Sequence, residues 1–199
     1  MKKKVTKKNT NSSQAKAKKP AGKNNSSKMN GKTSETDIIE LILRDHKPIK
    51  ELIETLKGDA EFSEKQEAFE EFAHTLLSHA EPEEEALYSR MKDKDELREA
   101  AFEGDVEHAL ANQLIEDLKA SADGDEDMWM AKVKVLAELV EHHIEEEEEE
   151  MLKNVKKEFD AETRMEIGQK YLTLQSEFSE DSEEMPAERS KKSSEVRAH

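Results

Sequence analysis

The chain of 199 residues has no cysteine. That excludes a disulfide framework, a thiolate metal site and a cysteine nucleophile, and makes a reducing, cytoplasmic setting the expectation. Apolar residues are scarce: 34% are hydrophobic against 40% charged, and the aromatics are one Trp, two Tyr and six Phe. Such a supply builds a core only if part of the chain stays outside it and the rest is helical. No apolar run approaches the ~20 residues that span a bilayer, so no membrane partner is expected. The N-terminus carries lysines but neither an apolar stretch nor an arginine, which speaks against a secretory signal or a transit peptide. No β-rich run appears.

Charge is unevenly distributed. Residues 1–36 carry eleven lysines and one acid (Glu35), a net of +10, while the remaining 163 residues carry a net of −26. Residues 1–36 read as a disordered Lys-rich arm without aromatics or apolar periodicity. Its composition suits non-specific, salt-dependent attraction to nucleic acid, and equally a solubilising tail. Residues 179–199, with Pro186 among them, read as a second disordered tail. The folded domain is then 37–178.

Within it, helical stripes recur. The first helix runs from Asp37 to about Lys57, with Thr36 as expected N-cap and Gly58 as its end. The second starts at Ser63, with Gln66 completing a capping box, and continues to about Met91 through Pro82, where a bend is expected. The third covers about Asp95 to Ala120, with Leu97, Phe102, Val106, Leu110, Leu114 and Leu118 as its inner face. Gly104 is a weak point within it. The fourth spans about Asp125 to Glu158, with Met128, Val135, Leu136, Leu139, Val140 and Met151 inward. A fifth, shorter helix runs from the cap Asp160 to near Phe178. The expected fold is all-α, an up-down four-helix bundle with a short fifth helix.

Histidines give the bundle its chemistry. His46, His79, His108 and His143 fall one to each long helix. Glu83 follows His79 by four residues and Glu147 follows His143 by four. Residues at i and i+4 lie about 40° apart around an α-helix, one turn above each other, so each pair can address one metal. His46 and His108 are 62 residues apart, and His79 and His143 are 64 apart. The unit is a helix with one His followed by a helix with His-x-x-x-Glu. Two such hairpins packed antiparallel supply four imidazoles and two carboxylates, enough for two metals sharing the carboxylates. A single such histidine is more often a satisfied core or rim residue, but the joint spacing is hard to obtain by chance.

Other readings have less support. A ferritin-like site needs two Glu-x-x-His units, and only Glu71–His74 is present. No His-Glu-x-x-His occurs. His74 and His142 point away from the ligand face, His199 lies in the tail, and Trp129 belongs to the core. Of the six consecutive glutamates 145–150, only Glu147 is singled out. The others read as a solvated rim, and Glu148, about 140° from the His143 direction, is expected to be a neutral control.

The set His46, His79-x-x-x-Glu83, His108, His143-x-x-x-Glu147, with the strings DHKPIKEL, HAEPEEEALY and HHIEEEEEEML, resembles the hemerythrin-like, or HHE cation-binding, domain over about residues 37–175. The resemblance implies a non-heme diiron site of two iron ions with an oxo or hydroxo bridge. By it His46 and His79 hold one iron, His108 and His143 the other, and Glu83 and Glu147 bridge them. Members bind dioxygen, respond to nitric oxide or peroxide, sense iron, or help repair iron–sulfur clusters. The dioxygen carriers have a further histidine one turn from the helix 3 ligand. Here Gly104 and Asn112 stand at those positions, which favours reactivity or sensing over reversible carriage. Three functions stand as expectations: a diiron protein reacting with a small oxidant, an iron-holding or iron-sensing module without turnover, or a nucleic-acid-associated helical protein acting through its arm. No pocket for an organic substrate is legible, and neither is the oligomeric state.

Overall fold

The computed structural model describes residues 35–122 and 124–184, and these are helical with no strand among them. The helices are α1 (Ile38–Lys57), α2 (Phe62–Glu83), α3 (Arg98–Ala120), α4 (Glu126–Glu146) and α5 (Ala161–Glu184). Two of them run on. The chain leaves α2 through a π-helical turn, Glu84–Tyr88, into Ser89–Met91. It leaves α4 through a second π turn, Glu147–Met151, into Leu152–Glu158. No helix among the described residues is long and apolar enough to cross a membrane.

Side chains set the helix starts. Asp37, rather than the expected Thr36, caps α1: its Oδ1 accepts from the Ile39 N–H at 3.1 Å. The α2 start uses Glu61 and Glu64 in place of Ser63 and Gln66, with the Glu61 N–H donating to Glu64 Oε2 at 3.1 Å. Gln66 instead donates to the Ala122 carbonyl. Asp125 and Asp160 accept from the N–H groups of Met128 and Thr163, each at 2.9 Å. Such caps satisfy N–H groups that a helix start leaves unpaired. At its far end α5 reaches Glu184, beyond the expected stop near Phe178. The disorder expected of residues 1–36 and 179–199 otherwise falls outside the described residues.

α1 packs on α2 and α4, α3 packs on α4 and α2, and α5 lies over α1 and α2. The four-helix ring encloses two apolar clusters. One holds Ile49, Ile53, Phe72, Leu76, Ile115, Trp129 and Leu136. The other holds Ile38, Ile42, Leu87, Tyr88, Met91, Leu97, Met151 and Tyr171. Along each helix the residues between the two clusters are the predicted ligands: His46 between Ile42 and Ile49, and His79 and Glu83 between Leu76 and Leu87. The sequence places a polar layer between two dry plugs.

The inner face of α3 differs from expectation. Phe102, Val106 and Leu110 are about half exposed, at 47%, 59% and 53%, and Met128 and Val135 on α4 are similar. The buried stripe is Ala101, Gly104, His108, Ala111, Ile115 and Leu118. Small residues win here because α3 must approach closely. A Cβ on Gly104 would lie 2.6 Å from the Tyr88 ring. Phe102 is instead covered by cations, with Lys92 Nζ and Arg98 Cζ each 5.5 Å from its ring centre. Gly168 performs the same service for α5, since a Cβ there would overlap the Thr36 carbonyl oxygen. Arg164 of α5, at 3.0 Å from Asp37, pins the same corner.

Trp129 anchors the plug remote from the polar layer, with Phe62 and Phe69 edge-on to it. Trp129→Ala should cost about 3–5 kcal/mol in urea unfolding. The His and Glu layer should keep its metal content, because the lesion lies in the other half of the core.

Candidate metal centre

Six polar side chains converge between the two plugs: His46, His79, Glu83, His108, His143 and Glu147, none more than 4% exposed. Every residue predicted as a ligand from the sequence is in this layer. Donor atoms of His46, His79 and Glu147 lie within 4.8 Å of one another, as do those of Glu83, His108 and His143. Each carboxylate also spans the two groups. Glu147 Oε2 is 3.1 Å from His46 Nε2 and 3.8 Å from His143 Nε2. Glu83 Oε2 is 3.5 Å from His79 Nε2 and 3.9 Å from His108 Nε2. Pro82 does not carry Glu83 off the His79 face, because α2 remains continuous through it.

The π turns decide which side chains turn inward beyond each carboxylate. A π turn inserts one residue into the helix, so adjacent positions can both face the core. Leu87 and Tyr88 are both buried after Glu83, and Met151 and Leu152 after Glu147.

The other nitrogen of each imidazole is also engaged. His46 Nδ1 lies 2.9 Å from Glu148 Oε1, His108 Nδ1 3.0 Å from Glu84 Oε1, and His143 Nδ1 2.7 Å from Glu107 Oε2. His79 Nδ1 lies 2.9 Å from the Tyr171 hydroxyl, which donates to Asp45 Oδ2 at 2.8 Å. Since carboxylates only accept, each Nδ1 carries the proton and each Nε2 turns a lone pair inward. His108 Nε2 and His143 Nε2 then face each other at 3.1 Å.

Helical spacing alone does not single out these outer partners, yet they repeat the same local pattern. Glu84 and Glu148 each follow a candidate ligand, making the full unit His-x-x-x-Glu-Glu. Asp45 and Glu107 each precede one, in Asp-His and Glu-His. The expectation that Glu148 is a neutral control is therefore corrected: it bonds both His46 and Lys50, at 2.9 and 2.7 Å. The π turn re-aims it, which ideal 100° steps cannot show. His142 and His74 are exposed, His142 beside Glu146 at 3.3 Å and His74 near the Phe178 ring, as expected of rim residues.

Burial and the neighbouring Glu147 push the Glu83 carboxyl well above its ordinary range. Burial also opposes ionisation of Glu147, but the adjacent His46, Glu83 and His143 side chains outweigh it and hold that carboxyl low. Burial pulls the His143 imidazole down, while Glu107 more than compensates and its pKa is raised. Burial and then His46 push His79 down to about 3.

A cleft of about 240 Å³ opens beside this layer, between α3 and α4. Glu99, Glu103, Glu107, Glu146 and Glu150 line it, with His143 and Glu147 at its wall and no lysine or arginine among the described lining residues. Such a lining raises the local concentration of cations and opposes anions.

The family model of the hemerythrin HHE cation binding domain matches residues 37–155. The chain belongs to the hemerythrin HHE family. The match ends before α5, although α5 supplies Tyr171 to the His79 side of the layer. No curated protein and no solved structure matches the chain.

The residues fit a bound cation pair. His46 Nε2, His79 Nε2 and all four oxygens of Glu83 and Glu147 are buried without a hydrogen-bond partner. Leaving such groups unpaired is costly, and a buried carboxylate is normally paired or bound to metal. Inward lone pairs and outward Nδ1–H donors are the arrangement that metal-ligating histidines take.

His79 gives a pH dependence to the metal-free protein. Below its ordinary value of 6.5 the unfolded chain takes up a proton on this imidazole, which the folded state refuses until about pH 3. A group with a depressed folded pKa loses stability as pH falls through that window, at up to ~1.4 kcal/mol per unit. The urea midpoint of metal-free protein should drop between pH 6.5 and about 4, and His79→Gln should flatten that slope.

Proposed function

We propose that this hemerythrin-family chain is a non-heme diiron protein that binds or reacts with a small oxidant, either dioxygen, nitric oxide or peroxide. In this reading His46 and His79 hold one iron, His108 and His143 the second, and Glu83 and Glu147 bridge them. The observation that carries it is the pair of buried carboxylates, each facing one histidine of either group, with all four imidazoles turned by outer partners to present Nε2. Iron held there would supply one-electron chemistry to a small oxidant.

The chain's own residues do the rest. Glu148, Glu84, Glu107 and the Tyr171–Asp45 pair fix the imidazole tautomers. The Asp45 carboxylate is itself held by Arg44 at 2.7 Å and Gln175 at 2.8 Å. The two apolar plugs exclude water above and below the layer, which strengthens electrostatic interactions inside it. The acidic cleft admits neutral dioxygen or nitric oxide and a cation more readily than an anion. The cleft also suits the second reading, an iron-holding or iron-sensing module, because it offers an incoming cation a route of one charge sign. A role for the Lys-rich arm with nucleic acid stands on composition alone.

Protein loaded with ferrous iron under anaerobic conditions should contain roughly two irons per chain, the ratio expected of a bundle dimetal site. Admitting dioxygen should raise a visible ferric band that reduction bleaches. His79→Ala and Glu147→Ala should lose iron and band together, and Glu148→Gln should weaken iron binding by about 10–100-fold. Iron that never changes its spectrum with any of the three oxidants would favour the holding module. Absence of bound iron would overturn both readings.

A further inference from the structure

The two hairpins repeat one another, and the repeat breaks beside His108. Five residues after Glu147 stands Leu152, and four before His46 stands Ile42, both buried in the apolar plug. The matching positions after Glu83 and before His108 hold Tyr88 and Gly104. On one side two aliphatic side chains fill the space. On the other a glycine has withdrawn its side chain and a tyrosine has grown into the gap. A Cβ on Gly104 would lie 2.7 Å from the Tyr88 hydroxyl oxygen and 2.6 Å from its ring. Tyr88 therefore occupies the room that a side chain at position 104, one turn from His108, would use.

The ring lies against His108, centroids 5.4 Å apart and planes 20° from parallel. Its hydroxyl is fully buried and without a hydrogen-bond partner. The chain has two tyrosines, and the other makes the contrast. Tyr171, beside His79, accepts from that imidazole and donates to Asp45, so its hydroxyl is engaged twice. Tyr88 differs in neither burial nor proximity to the layer, only in making no well-formed hydrogen bond: its nearest acceptor is the Glu83 carboxylate, itself a candidate metal ligand. Buried tyrosine hydroxyls find partners, because an unpaired one is costly.

The ligand count supplies the partner. With both carboxylates bridging, His108, His143, Glu83 and Glu147 give the second metal four protein donors, fewer than a six-coordinate iron takes, and no protein donor follows at position 104. We infer that the Tyr88 hydroxyl is the hydrogen-bond donor to a small electron-rich ligand held on the His108–His143 metal, an inference that rests on the diiron reading above. Tyr88 is thus a positioning residue for the exogenous ligand, and it distinguishes the two metals: a ligand on the His46–His79 side meets Leu152 and Ile42 instead.

Tyr88→Phe tests this, with azide as probe on iron-loaded ferric protein. The variant removes one oxygen and keeps the ring against His108 and Gly104. Iron per chain should match wild type. Azide affinity, read from its charge-transfer band, should weaken by roughly tenfold, which is ~1.4 kcal/mol. The infrared stretch of bound azide should move in the variant and lose its sensitivity to deuterated solvent. In metal-free protein, Tyr88→Phe should melt at or above the wild-type temperature, because the lost hydroxyl has no partner in the protein. Equal azide affinity and stretch in both proteins would overturn the inference and leave the diiron reading intact. A lower melting temperature for the metal-free variant would also overturn it, since it would place the hydroxyl's partner within the chain. Wild-type protein that takes up no iron would remove both, and metal analysis identifies that case before azide is added.

Discussion

Two carboxylates, Glu83 and Glu147, stand fully buried at the middle of the bundle with no lysine or arginine beside them among the described residues. Ionised carboxylates resist such a place strongly, and protonation of one relieves only half of the difficulty. Their neighbours are four imidazoles whose tautomers are fixed from outside, so that lone pairs, not protons, face the acids. Electron-rich atoms surround one small volume. The arrangement is unfavourable in itself and becomes favourable when positive charge enters. The rest of the fold can be understood as holding this layer still.

That holding is done by helices that interrupt their own regularity. The π turns after Glu83 and at Glu147 let successive residues face inward, so Glu84 and Glu148 can reach across to His108 and His46. The hairpins thereby support each other reciprocally: the second glutamate of each carboxylate-bearing helix orients the lone histidine of a neighbouring helix. Asp45 and Glu107 return the support, Glu107 directly and Asp45 through Tyr171. The internal duplication extends to this outer ring, with α5 inserted on one side only. Apolar plugs above and below complete the design by keeping water from the six inner side chains.

Much of this is legible in the chain. His-x-x-x-Glu spacing on two helices and a lone His on each of the others decide which side chains meet, because helical periodicity is local and robust. What escapes is whatever depends on neighbours. Hydrophobicity alone assigns the inner face of α3 to Phe102, Val106 and Leu110, among its largest apolar residues. The true face carries Ala101, Gly104 and Ala111, and at Gly104 the Tyr88 ring leaves no room for a side chain. An ideal helical angle places Glu148 on the rim, and a π turn alters that angle. The capping box at Ser63 is a sound local pattern, but Glu61 and Glu64 form the same pattern two residues earlier and win. Tyr171 cannot be found by spacing at all, since it reaches His79 from a separation of 92 residues in sequence.

The central claim is that one pair of carboxylates joins two metals rather than serving two separate sites. Mössbauer spectroscopy on oxidised protein loaded with enriched iron tests it most directly. A bridged pair of ferric ions couples its spins, so the account predicts quadrupole doublets that stay free of magnetic splitting at low temperature in a weak applied field. A magnetically split spectrum of isolated high-spin ferric ions would contradict it, whatever the total amount of iron bound.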